Sequence, residues 1–149
     1  YKVRRGSSRA DLIVLMQKAQ KDFLDQHWDS RAAHPDIPDR KSALILASIV
    51  QKETAIADEY RLVASVFLNR LKQNMRLQSD PTIIYGLVGG AGSLKRPIRK
   101  SEIKQKTAHN TYQILGLPPT PITNPGAAAI QAVLLPASSP YYYFVIINL

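Results

Sequence analysis

The segment Leu44-Ile45-Leu46-Ala47-Ser48-Ile49-Val50-Gln51-Lys52-Glu53-Thr54 is almost wholly apolar and then runs into charge. Read as one helix beginning near Asp39 or Ser42, it must place Glu53 somewhere on its circumference. With Glu53 at zero and ~100° per residue, Leu46 falls at about 20°, Ile49 at about −40° and Val50 at about 60°. Ile56 and Ala57 join the same stripe if the helix continues past Thr54. Gln51 and Ser48 lie opposite, and Lys52 marks the boundary. Glu53 therefore sits in the middle of the apolar face.

A carboxylate in that position is disfavoured as an anion, and desolvation raises its pKa. Such a group can hold a proton near neutral pH and donate it, as a general acid does in glycoside cleavage. Two structural alternatives stand beside this reading. Glu53 can pair with an arginine of the next helix, Arg61 or Arg70, or the helix can end at Glu53 and turn it to solvent.

The rest of the chain bounds these readings. Its 149 residues suit one domain. The longest apolar run, about seven residues, is far short of the ~20 that span a bilayer. The chain starts with tyrosine, which reads as a fragment whose signal or anchor segment has been cut away. Absence of cysteine excludes disulfides, thiolate metal sites and cysteine nucleophiles. His27, His34 and His109 match no metal-ligand spacing, so no metal and no cofactor is expected. The net charge of +9 favours polyanions: nucleic acid, anionic lipid or an acidic wall polymer. The basic residues cluster at Lys2–Arg5 and Lys95–Lys106 without an aromatic-rich RNA-binding motif, which argues against nucleic acid.

The pattern along the chain is helical with a few strands. Ser8 or Asp11 can cap a first helix that runs to about Trp28, with Leu12, Leu15, Met16, Ala19 and Phe23 at helical spacing. A third helix begins near Asp58, a good cap, and continues through Leu62, Val63, Val66, Phe67 and Leu71. Ser79-Asp80-Pro81 opens a short helix with Pro81 at its first position. Gly86–Gly92 reads as a glycine-rich loop. Gly116–Pro125 carries four prolines and must be stiff and extended. Asn124-Pro125-Gly126 opens a last helix that stops before Pro136. Tyr1–Arg5 and Tyr141–Ile147 read as strands, the second being aromatic and β-branched. The fold class is α+β: a helix-dominated single domain with a small β-sheet.

Three long blocks carry a family resemblance: ALILASIVQKET, VASVFLNRLKQNMRLQSDPTIIYGL and HNTYQILGLPPTPITNPG. In order and spacing they resemble the endolytic murein transglycosylases (the MltG or YceG-like family) over about residues 40–145, with residues 1–39 as the lead-in. The resemblance implies that 1–149 is a catalytic domain. It implies cleavage of the MurNAc–GlcNAc β-1,4 bond in nascent peptidoglycan strands without water, leaving 1,6-anhydro-MurNAc ends. Glu53 occupies the position of the family's catalytic glutamate. The resemblance further implies peptidoglycan strands and cell-wall synthesis proteins as partners. It places the domain on the periplasmic or extracytoplasmic side of the bacterial inner membrane, held by a single-pass anchor absent from this chain. The family's LysM-like module is absent too, and so is the segment that follows its YFV strand.

Within those blocks the substrate-binding candidates are Asn69, Gln78, Asp80, Tyr85, Asn110, Thr111, Tyr112, Pro118 and Pro119. Asn69 can bond Glu53 or a sugar N-acetyl group, and is otherwise a helix-surface residue. Asp80 reads first as a helix cap. Tyr85 either lines the cleft or packs in the core. Asn110, Thr111 and Tyr112 offer the donors, acceptors and aromatic face that carbohydrate sites use. Pro118, Pro119 and Pro121 stiffen a cleft wall, while Asn124 caps the last helix. The run Lys95–Lys106 can attract stem-peptide carboxylates. Two residues depart from the family pattern: His109 where tyrosine is usual, and Thr120 where glycine is common. Three rivals remain: a hydrolysing muramidase in which Asp80 or Asp58 activates water, a non-catalytic wall-binding module, and a basic nucleic-acid binder.

Overall fold

The computed structural model describes residues 2–145. Six α-helices follow in order: α1 (Arg9–His27), α2 (Arg40–Glu53), α3 (Tyr60–Lys72), α4 (Asp80–Val88), α5 (Lys100–Ile103) and α6 (Ala127–Leu134). A 3₁₀ turn, Ala57–Glu59, precedes α3. The caps are local. Ser8 and Asp11 form a reciprocal capping box at α1, and Asp39 Oδ1 accepts the Ser42 amide at 2.7 Å to start α2.

Helices α2, α3 and α6 pack together as the core; α1 lies on α6 and α4 on α2. From Ala43 to Val50 every residue of α2 except the half-buried Leu44 is buried. Its polar side is covered as well. Ser48 Oγ accepts the Ile122 amide at 3.0 Å, and Gln51 Oε1 accepts the Gly126 amide at 3.1 Å. The proline-rich segment 116–125 is thus tied to the side of α2 that amphipathicity assigns to water. Fully burying side chains such as Leu46, Ile49 and Val50 is worth about 1.5–3 kcal/mol each.

Several expectations need correction. On α1 the predicted stripe is half-buried, with Leu24 and the following Trp28 as the buried contacts. On α3, Val63, Val66, Phe67 and Leu71 are buried, but Leu62 is exposed. Asp58 does not cap α3; it lies within the 3₁₀ turn. Asn124 does not cap α6, whose cap is Gly126. Its side chain accepts from Gln20 Nε2 at 2.7 Å instead. Residues 86–88 of the expected glycine loop belong to α4, which ends at left-handed Gly89. The short helix α5 falls inside the basic run.

No strand occurs among the described residues. Residues 2–5 are irregular, and Tyr1 lies outside the described residues. Residues 141–145 are irregular too, and residues 146–147 lie outside. Carbonyls in and just before this stretch are bound by side chains of α3. Ser139 O and Tyr141 O accept from Asn69 Nδ2, and Tyr142 O accepts from Arg70 Nε. Side chains of α3 strap this stretch down in place of a partner strand. Phe144 then packs edge-on against Phe67, ring centroids 5.6 Å apart.

Candidate active site

Glu53 is the last residue of α2. Thr54 leaves the helix in an extended conformation, and its hydroxyl donates to Glu59 Oε2 at 2.6 Å while accepting the Ile56 amide. The helix therefore does not continue, and Ile56 is exposed rather than part of the stripe. Yet Glu53 is not turned to solvent. It is half-buried, and its Oε1 accepts a hydrogen bond from the Ser79 hydroxyl. It lines a cavity of about 240 Å³ with Arg70, Leu77, Gln78, Asp80, Tyr112 and Phe144.

Ser79 is the N-cap of α4, but its side chain makes no capping bond to that helix. An N-cap serine ordinarily accepts from an amide of its own helix. Here the hydroxyl is directed at Glu53. A buried network holds it there. The Ser79 amide donates to Thr111 Oγ1 at 2.9 Å, the Thr82 hydroxyl donates to Ser79 O at 2.6 Å, and Thr82 and Thr111 hydroxyls meet at 2.8 Å. Because Thr82 has one proton, Thr111 is the donor of that last pair. Gln78, just before Ser79, has φ of 52°, a left-handed conformation uncommon outside glycine. Its amide donates to Thr111 O at 3.2 Å.

Asp80 is the first residue of α4, one place beyond the cap position expected for it. Its Oδ1 accepts from the Tyr112 hydroxyl at 2.7 Å across the cavity. Arg70 is buried and also faces the cavity, but it forms no ion pair with Glu53 among the described residues. Its guanidinium donates to Tyr142 O at 2.6 Å, Leu77 O at 2.8 Å and Arg76 O at 3.3 Å.

Burial raises the Glu53 carboxyl above its ordinary value; the Ser79 bond opposes this, Asp80's charge adds to it, and Arg70 opposes it. Burial, and then the bond to Asp80, push the Tyr112 phenol well above its usual range. It therefore stays a donor. Glu53 stands at the C-terminal end of α2, where peptide dipoles add to the disfavour of negative charge. Asp80 is the first residue of α4.

Of the sequence-predicted residues, Glu53, Gln78, Asp80 and Tyr112 line one cavity, with Thr111 buried beneath. The others do not line it. Asn69 straps residues 139–141 to α3. The buried Asn110 donates to Glu102 O, Ile103 O and Gln105 O and accepts the Tyr112 amide, so it shapes its own loop. Tyr85 lines a neighbouring groove. Pro118 is buried and Pro119 exposed. Asp58 lines a separate cavity of about 370 Å³ beside Arg61 and Leu135. The two departures from the family pattern touch each other: His109 Nε2 and Thr120 Oγ1 are 2.8 Å apart, and the His109 ring lies 4.7 Å from that of Tyr85. Thr120 is not among the positive-φ residues, so that turn accepts a side chain.

Sequence reasoning missed Ser79 as a partner of Glu53, and Leu77 and Phe144 as walls. Ser79 stands in the RLQSDP block, where its local signal is only that of a residue opening α4. No group of three or more metal-ligating side chains occurs among the described residues.

Comparison with known proteins identifies the family. A model of the YceG-like family matches residues 1–148. An endolytic murein transglycosylase of Bacillus subtilis (strain 168) is 37% identical over 138 residues, which are 93% of this chain and 37% of that protein. One from Streptococcus pneumoniae (serotype 2, strain D39) is 36% identical over 104 residues, covering 68% of this chain and 19% of that protein. The chain therefore spans well under half the length of these curated relatives. A Listeria monocytogenes protein described as yceG-like superposes with a TM-score of 0.78 at 32% identity, over 98% of this chain and 46% of that one. By the span of the family match and these likenesses, the chain belongs to the YceG-like family.

Proposed function

We propose that this chain is the catalytic domain of an endolytic murein transglycosylase, with Glu53 as its acid and base. Protonated Glu53 gives its proton to the glycosidic oxygen as the bond from that oxygen to C1 of MurNAc breaks. The resulting carboxylate then takes the proton of the C6 hydroxyl, whose oxygen closes on C1 as the 1,6-anhydro ring. Glu53 is restored, and no water is consumed. Asp80, oriented by Tyr112, offers negative charge to the oxocarbenium-like transition state. The observation that supports this most directly is the Ser79–Glu53 hydrogen bond at a cavity shared with Asp80 and Tyr112. Such a substrate lies on the extracytoplasmic side of the membrane, and the domain acts there beside wall-synthesis proteins. No helix among the described residues is long and apolar enough to cross a membrane.

Asp80 in the same cavity also favours a second reading, a hydrolysing muramidase in which Asp80 activates water. Mass spectrometry of digested glycan strands separates the two. Anhydro ends, lost in Glu53→Gln, support the transglycosylase; reducing ends support hydrolysis; unchanged cleavage by Glu53→Gln rejects Glu53 in both.

A further inference from the structure

Beside the Glu53 cavity lies a second hollow of about 180 Å³, lined by Lys52, Tyr85, Ile84, Val88 and Ile122 among others. Chain neighbours line the two: Lys52 of the second hollow precedes Glu53 of the first at the end of α2, and Pro81 of the second follows Asp80 of the first at the start of α4.

Their chemistry differs. The first holds two carboxyl groups and a phenol; the second is lined by aliphatic side chains, the Tyr85 ring, Thr123 and Lys52. No carboxylate lines it, and Lys52 has no ion-pair partner among the described residues. Arg70, the cation of the first hollow, is engaged by three backbone carbonyls, and Arg96 of the basic run is paired with Glu102 at 2.6 Å. Gly90 forms part of the rim at φ 79°. A Cβ there would come within 3.3 Å of the Tyr85 ring. Glycine leaves that ring edge open to a ligand.

We propose that this hollow is a subsite for a peptide-bearing sugar next to the cleaved bond, with Lys52 receiving a carboxylate of its stem peptide. The assignment rests on the glycan-cleaving reading above. The Tyr85 ring and its aliphatic neighbours take the less polar face of the sugar or peptide, and the ammonium selects the anionic form.

The test compares soluble glycan strands carrying free stem-peptide carboxylates with the same strands after those carboxylates are capped as amides. Binding is measured on Glu53→Gln protein, so the strand stays intact, and cleavage on protein with Glu53 in place. Free-carboxylate strands are expected to bind roughly three- to fivefold more tightly, the range of a partly exposed ion pair. Lys52→Gln is expected to abolish that preference and Lys52→Glu to invert it, with the change appearing in KM. A preference that is absent, or that survives Lys52→Gln, overturns the subsite even if anhydro ends are made. Binding with the expected preference but no cleavage of either strand overturns the catalytic reading and leaves the carboxylate subsite standing.

Discussion

The Ser79 hydroxyl donates to Oε1 of Glu53 from 26 residues further along the chain. This bond favours the carboxylate, against burial, which favours the acid. Removing it should raise the pKa of Glu53 further. In Ser79→Ala the alkaline limb of the pH–rate profile is expected to move to higher pH. The maximal rate should fall roughly tenfold, equivalent to ~1.4 kcal/mol of lost positioning. A profile that keeps its position would reject Ser79 as the partner that tunes the acid. Thr111→Val, which removes the acceptor of the Ser79 amide, should lower the rate in the same direction and cost about 1–3 kcal/mol of stability.

Glu53 also links folding to pH. Its folded pKa is raised from the ordinary 4.5, so the native protein keeps a proton that the unfolded chain has already released. Stability from this group is present below the unfolded value and is lost as pH rises through the folded one. Glu53→Gln removes the titration while retaining an acceptor for Ser79. Calorimetry should show a Tm gain of roughly 2–4 °C for the variant near pH 8, a range typical of small stability changes in a domain this size. Near pH 3.5 the gain should vanish. An equal gain at both pH values would contradict the raised pKa.

Arg70 is fixed by three carbonyls and forms part of the cavity wall. Arg70→Met keeps much of the length and loses every donor. A cost of about 2–4 kcal/mol is expected, read as a lower denaturant midpoint, because Leu77 O and Tyr142 O lose a charged partner. The KM for glycan should rise together with this, since Phe144 follows Tyr142 into the cavity.

Gly86 offers a steric test inside α4. A Cβ at this position would run into Thr107 Oγ1, the atom that accepts the Asn110 amide at 3.1 Å. Gly86→Ala should destabilise by about 1–3 kcal/mol despite alanine's better helix propensity. Thr107→Ala in the same chain should recover part of the loss, because it removes the clashing oxygen. Additive costs in a double-mutant cycle would count against the contact.

Much of the helical frame was legible because its signals are local. Asp39 and Ser8 announce their helices within four residues, and the apolar stripe of α2 places Glu53 without reference to any other segment. What stayed hidden depends on long-range pairing. Thr111 gains its role only when the fold brings it against Ser79 and Thr82. Asn110 resembles a sugar donor in sequence, yet its amide is taken up by the turn just before it. The aromatic stretch at Tyr141 has strand propensity, but propensity does not supply a neighbouring strand, and Asn69 and Arg70 claim its carbonyls first. Asn69 lies on α3 as its spacing predicts, and its amide donates to Ser139 O and Tyr141 O rather than to Glu53.

The meeting of the end of α2 with the start of α4 has a durable consequence. The field that the α2 backbone sets at Glu53 comes from the direction in which the main chain runs, and no side-chain replacement can reverse that direction. Descendants of this domain can exchange cleft walls and rims while inheriting the same backbone polarity at that carboxyl group. Moving the carboxyl group to the opening turn of a helix would forfeit that inheritance even with every neighbouring atom preserved.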